Sequence, residues 1–246
     1  MTDPTPAGVN LLSHLDRLRL RFGSEASLVA TGAQDDPATL EWSCSAVLRL
    51  WEPEDAEMAA ENAALLTPGV SLSQMERSEC TELTIFTMSG LTLDLWRIGH
   101  IYDSLDSRSA DYEHFARLFD ESGDLGLHPD FEECLISGTH VTIIDRARIA
   151  PAWRRQGGVG RLLIAHLLRL VAGRTAVVAT HPYPIDIPEE ERDDEARKVR
   201  EMAAVQRTWR SLGFEPFRED LYVMQPHLRA HEDATKRLEQ ALASYL

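Results

Sequence analysis

Cysteine is scarce in this chain, basic residues are outnumbered, and no apolar run is long enough to cross a bilayer. The three cysteines, Cys44, Cys80 and Cys134, stand far apart with no Cys-x-x-Cys pair. That spacing excludes a disulfide-built scaffold and a cysteine zinc cluster, and it fits a reducing compartment. Twenty-five Lys and Arg face 40 Asp and Glu, a formal net charge of −15. Nucleic acid and anionic membrane are poor partners for such a chain, because neutralised phosphates drive both kinds of binding. A cationic partner such as an amine suits it better. Met1–Val9 is polar and proline-bearing, unlike a secretion signal, so the cytoplasm is the expected compartment. Internal repeats and low-complexity segments are absent as well.

What the chain does have is the composition of an ordinary globular protein, 43% hydrophobic and 26% charged over 246 residues. That length suits one sizeable mixed domain with embellishments. Residues 1–9 read as a disordered lead-in within an N-terminal extension to residue 39. Apolar residues at 11, 12, 15, 18, 20 and 22 predict a short helix over Leu11–Phe22. Glu41–Trp51 alternates as a strand, and Pro53–Glu54–Asp55 opens a helix to about Leu66. Leu83–Trp96 holds two apolar runs broken by Ser89–Gly90, the pattern of a hairpin or a bent pair of strands. Asp103–Asp120 carries helical periodicity through Tyr112, Phe115, Leu118 and Phe119, and Gly123–Pro129 reads as a loop. Beyond Pro226, Ala234, Leu238, Leu242 and Tyr245 fall on one face of a closing helix, 227–246. That face has two possible uses, packing on its own sheet or pairing two chains as a homodimer.

The most informative stretch is Thr139–Arg161. Alternation through Ile149–Ala150–Pro151 predicts a strand; Trp153–Arg154–Arg155–Gln156–Gly157–Gly158–Val159–Gly160–Arg161 predicts a glycine-rich loop running into an apolar helix. Unpaired N–H groups and the positive dipole end at such a helix start form a pocket for an anion, and missing Cβ atoms let it approach the main chain. Arg154, Arg155 and Arg161 add local positive charge. No Lys-Ser/Thr follows the glycines, so the loop is not a P-loop; Leu163 stands where a dinucleotide fingerprint needs its third glycine. Taken alone, a Gly-x-Gly before a helix is equally compatible with a purely structural turn.

The full pattern Arg155-x-x-Gly158-x-Gly160, preceded by that strand, resembles the acyl-CoA-binding motif of the GNAT superfamily of N-acetyltransferases. The resemblance continues in Arg174–Thr180, similar to the family's next, central strand, and in Trp209–Arg210–Ser211–Leu212–Gly213–Phe214, similar to its aromatic-x-x-Leu-Gly-Phe signature. It covers roughly residues 40–226, with specificity only over 139–226. It implies a mixed α/β fold whose mostly antiparallel, twisted sheet contains one splayed parallel strand pair at the acyl-CoA site, flanked by helices. It also implies acetyl-CoA as acyl donor and direct attack by an amine of a small molecule or protein. The backbone of Ala147 and Ile149 would pair with the pantetheine and polarise the thioester. Arg154, Arg155, Gln156, Gly157, Gly158, Val159, Gly160 and Arg161 would hold the pyrophosphate, with Trp209 nearby.

Catalytic groups are less clearly written. Asp145 falls on the face of Ala147 and Ile149 by strand alternation, which makes it a candidate base; a salt bridge to Arg146 is its structural alternative. His181, just after the central strand, is the second candidate, followed by His140. Glu189–Glu191 read as the acidic start of the helix around 190–210. Trp209 stands where many family members carry a tyrosine acid, and indole N–H is not a usable acid. Tyr183, Tyr222 or solvent would have to serve, or the chain binds acyl-CoA without turning it over. His227-x-x-x-His231 has metal-ligand spacing with nothing to complete a site, so the pair reads as helix surface, and no metal is expected.

Overall fold

Leu18, Leu20 and Phe22 alternate with Arg19 and Arg21, and this period of two makes Leu18–Glu25 a strand, β1. The helix predicted over 11–22 is therefore restricted to a 3-10 turn, Leu11–Arg17, where the Asn10 side chain accepts from the Leu12 N–H. The computed structural model describes residues 10–25, 38–54, 56–66, 70–74, 80–99, 101–106, 108, 110–185, 194–218 and 220–246. The predicted lead-in at 1–9, Asp55 and Glu189–Glu191 lie outside them.

β2 (Thr39–Trp51) runs antiparallel to β1 and buries Trp42, Cys44, Ala46, Leu48 and Leu50, its even-numbered side chains, on one face. After α1 (Ala56–Leu65) and β3 (Ser71–Gln74) comes β4 (Cys80–Asp94). The interruption at Ser89–Gly90 is not a turn: β4 is one 15-residue strand. Gly90 is there for close approach, since a Cβ on it would lie 2.0 Å from the Ile143 carbonyl oxygen and 2.4 Å from the Trp42 ring. The helix expected over 103–120 is instead a series of short pieces, α2 (Ile101–Asp106), α3 (Ala110–Glu113) and the 3-10 turn His114–Leu118. Further 3-10 turns follow at Asp124–Gly126 and Pro129–Ile136.

The remaining elements are β5 (His140–Ile149), α4 (Val159–Val171), β6 (Thr175–Thr180), α5 (Glu195–Arg210), β7 (Glu215–Phe217), β8 (Leu221–Met224) and α6 (Arg229–Leu242). They complete an open, eight-stranded mixed sheet of order β1-β2-β4-β5-β6-β8-β7, with β3 also beside β4. Among the described residues its one parallel pair is β5–β6. Every residue of β6 is buried, as befits a strand covered on both faces. On one face, α4 and α6 pack with Leu11, Leu15 and Trp209 over Leu48, Met88 and Ile144. On the other, Phe115, Leu118 and Phe131 of the 3-10 turns cover Leu91, Leu93, Val141, Ile143 and Val177. Ala234, Leu238 and Leu242 of α6 are buried within this chain, so the apolar face of that helix is spent on its own fold.

Four histidines, His14, His140, His166 and His231, are held below their ordinary pKa, chiefly by burial. His231 corrects the expectation of helix surface: it is buried, Nδ1 donates to the Leu212 carbonyl at 3.1 Å, and Nε2 has no hydrogen-bond partner among the described residues. A pKa lowered on folding means that the folded chain binds fewer protons than the unfolded one. The stabilisation is therefore complete above the ordinary value of about 6.5 and is lost as pH falls below it. Urea midpoints should fall between pH 7 and pH 5.5, and His231→Asn, which keeps a donor for Leu212, should make that pH dependence shallower. An equally steep dependence in the variant would mean that His231 does not contribute to it.

Candidate functional site: a cleft where two parallel strands part

β5 and β6 pair from His140–Thr175 to Ile144–Thr180. There β6 ends, while β5 continues to Ile149 with β4 as its one strand partner among the described residues. Asp145 and His181, the two catalytic candidates from the sequence, are thus the first residues on each strand past the last pair. A β-bulge coincides with this point: Gly90 pairs with Ile144 and Ser89 with Arg146, leaving Asp145 as the extra residue. Bulges increase local twist and re-aim side chains. Strict alternation fails across this one, because Ile144, Ala147 and Ile149 all join the apolar cluster under α4. Arg146 and Arg148 are exposed on the opposite face. Asp145 is 25% exposed, with Oδ2 3.5 Å from Arg146 Nε, so the ion pair weighed as its structural role is present.

The chain then passes through a 3-10 turn, Pro151–Trp153, into the glycine loop. Arg155, Gly157 and Gly158 have left-handed backbones, with φ of 60°, 56° and 99°. Gly158 caps α4, and Leu162 N donates to its carbonyl. Val159 N donates to Gln156 O at 3.0 Å. The loop is wedged between β5 and α6. A Cβ at Gly158 would meet Arg161 Nη2 at 2.7 Å and Leu238 at 3.1 Å, one at Gly157 would meet Leu242 at 3.0 Å, and one at Gly160 would meet Ile149 at 3.3 Å. Packing therefore requires small residues here independently of any anion. Arg154 Nε donates to Ile149 O at 3.2 Å, Gln156 Nε2 to Ala152 O at 3.2 Å, and Arg161 Nη1 to Ser211 Oγ at 3.4 Å. Arg155 and Gly157 are exposed. The loop residues are gathered at one helix start, and of them Ile149 already has its carbonyl engaged by Arg154.

Trp209 is 6% exposed and packs edge-on against Phe214, ring centroids 5.0 Å apart, inside the apolar cluster. Its place in the sequence signature is explained by the core. Tyr222 is better located for proton transfer: β8 pairs it with Thr180, which pairs with Ile144, so it shares the last row before the strands part. It is 2% exposed, and its hydroxyl makes no hydrogen bond to a described residue. Tyr183 is exposed. His181 stacks on His114 at 4.4 Å between ring centroids, with Tyr183 at 6.2 Å. His114 had no signal in the sequence. It lies 67 positions before its partner, in a 3-10 turn without a pattern, and only the fold brings the two together. His140 is set apart from the cleft: five residues of strand, about 17 Å, separate it from Asp145, and it lies 4.0 Å from Asp94.

Other chemistries find little support. Burial pushes the Cys44 thiol up to about 11, far from a thiolate nucleophile. Among the described residues no three His, Cys, Asp or Glu side chains gather as metal ligands, and no helix is long and apolar enough to cross a membrane. Two surface cavities are present among the described residues, one of about 410 Å³ over β1, β2 and β4, away from the loop, and one of about 370 Å³ between the ends of α5 and α6, whose Ser211 is the partner of Arg161. No family model, curated protein or solved structure matches the chain.

Gly158→Ala should lower the unfolding free energy by about 1–3 kcal/mol, since it forces a side chain into a left-handed backbone and against Leu238. Urea denaturation would measure it. An unchanged midpoint would show that the loop relaxes without strain.

Proposed function

We propose that the chain is an acetyl-CoA-dependent N-acetyltransferase with a GNAT fold, whose thioester lies in the cleft between β5 and β6. The observation that carries this reading is the parting of the one parallel pair at Ile144–Thr180, immediately before a glycine loop that opens α4. A strand edge without a neighbour offers N–H and C=O groups to an extended amide-bearing arm, as a further strand would. The helix start offers unpaired N–H groups to a pyrophosphate, with Arg155 beside them. The resemblance in sequence supplies the same two parts in the same order.

In the proposed reaction the amine nitrogen attacks the thioester carbonyl carbon, the new C–N bond forms, and the C–S bond breaks. Backbone N–H groups of β5 stabilise the oxyanion. The proton lost by the amine passes to Asp145 or His181, and the thiolate takes one from Tyr222 or from solvent, giving an amide and free thiol. Tyr222 replaces the tyrosine that the buried Trp209 cannot be. One pair of observations favours a second reading, an acyl-CoA-binding module without turnover: Trp209 is a core residue and Asp145 is ion-paired.

Thiol release from acetyl-CoA in the presence of a panel of amines tests the choice. The transferase reading expects release with at least one amine. Tyr222→Phe should slow turnover by about 100-fold with acetyl-CoA affinity unchanged, and Asp145→Asn should alter the acid limb of the pH–rate profile. Acetyl-CoA binding with no release for any amine would favour the module.

A further inference from the structure

β1 closes one end of the sheet, and among the described residues its outer edge carries no strand. All eight of its residues pair with β2 in a register without a bulge. The hydrogen bonds of residues 18–24 run to β2, to Glu82, or to the strand's own start at Leu15, Asp16 and Leu18. Residues 19–24 are exposed without a break, Leu20 by 37% and Phe22 by 45%. An exposed, regular edge strand is a template for another chain, and native proteins guard it with proline, a bulge, shortness or charge. β1 lacks the first three, since its eight residues exceed the usual strand length of about 5–6. Its guards are Arg19 and Arg21.

One of these guards is already spent. Arg21 is ion-paired with Glu82, 1% exposed, which also accepts from Arg49 Nε at 3.1 Å. This contact matches the charge of Arg21 inside the chain and ties the edge strand to β4 across β2. On the opposite face Leu18, Leu20 and Phe22 are paired with Leu48, Ala46 and Cys44, all in the apolar cluster under α4. They carry that apolar face out to the last strand, where Leu20 and Phe22 meet water.

Self-pairing can complete such an edge, and the sequence of β1 admits one register well. Antiparallel pairing about a two-fold axis sets residues of one face opposite residues of the same face. Centred on Leu20, it sets Arg19 against Arg21; centred on Arg21, it sets that arginine against its own copy. Like charges directly opposite are destabilising. Centred on Gly23, it aligns only residues 21–25. Centred on Phe22, it aligns residues 19–25: Phe22 meets Phe22, Leu20 meets Ser24, Arg21 meets Gly23, and Arg19 meets position 25, a glutamate, on both sides of the axis.

We propose that a second copy of this chain covers β1, in a two-fold dimer centred on Phe22 that joins the two sheets edge to edge. The surface is distinct from α6, whose apolar face is buried within its own chain. The net charge of −15 does not forbid the contact, because charges beyond about 8 Å are screened at physiological salt. β2 and β4 separate β1 from β5, so the dimer leaves the cleft outside its interface. The inference does not depend on the acetyltransferase reading.

Sedimentation velocity of the full chain over a range of micromolar concentrations tests it. The mass should pass from monomer to dimer as concentration rises. Arg19→Glu, checked for an unchanged circular dichroism spectrum, should raise the dissociation constant about tenfold by turning two attractive pairs into repulsive ones. Arg19→Glu/Glu25→Arg, which exchanges the two charges, should restore the dimer. A monomer at every concentration, a dimer that Arg19→Glu leaves unchanged, or a weakened dimer that the double variant does not restore would each overturn the inference.

Discussion

A ten-residue strand beside a six-residue one must leave part of its edge without a strand partner, and β5 and β6 stand in that relation. Buried backbone N–H and C=O groups are rarely left unpaired, so an interrupted ladder in the middle of a sheet calls for another source of hydrogen bonds. Part of the answer is internal, in the guanidinium of Arg154 on the Ile149 carbonyl. The bulge at Asp145 falls where the ladder is interrupted. It turns Arg146 and Arg148 to one face while Ala147 and Ile149 remain under α4. The proposed chemistry uses the first of these consequences, the free edge for the acyl donor.

The elements around the cleft are held by contacts made far away in sequence. Leu238 and Leu242 of α6 rest against Gly158 and Gly157, so the last helix fixes the shape of the loop that opens α4. Arg161 ties that loop to Ser211 at the end of α5. The turns between β4 and β5 cover half of one face and deliver His114 to His181.

Local pattern made much of this legible. Alternation located β2 and β5, the periodicity of Leu162–Leu168 marked α4, and the glycine at 213, with φ of 95°, ended the aromatic-bearing helix as its position suggested. The failures share a cause, which is tertiary contact that local pattern does not encode. Gly90 looked like a turn residue because its reason for being glycine is the ring of Trp42, 48 positions away. Leu18–Phe22 satisfied a helical count as well as an alternating one, and pairing with β2 decided it. The bulge at Asp145 could not be read from alternation because it is a property of two strands. His231 looked like surface because nothing in α6 alone shows that Leu212 and Gly213 lie against it.

Hydrogen exchange of the backbone amides, with and without acetyl-CoA, bears most directly on the claim that the acyl donor lies along β5 and on the start of α4. The account predicts slowed exchange at Ala147 and Ile149 and across Gly157–Arg161, with β1 unaffected by acetyl-CoA. Unchanged exchange at both segments in the presence of bound acetyl-CoA, with protection elsewhere on the molecule, would contradict it.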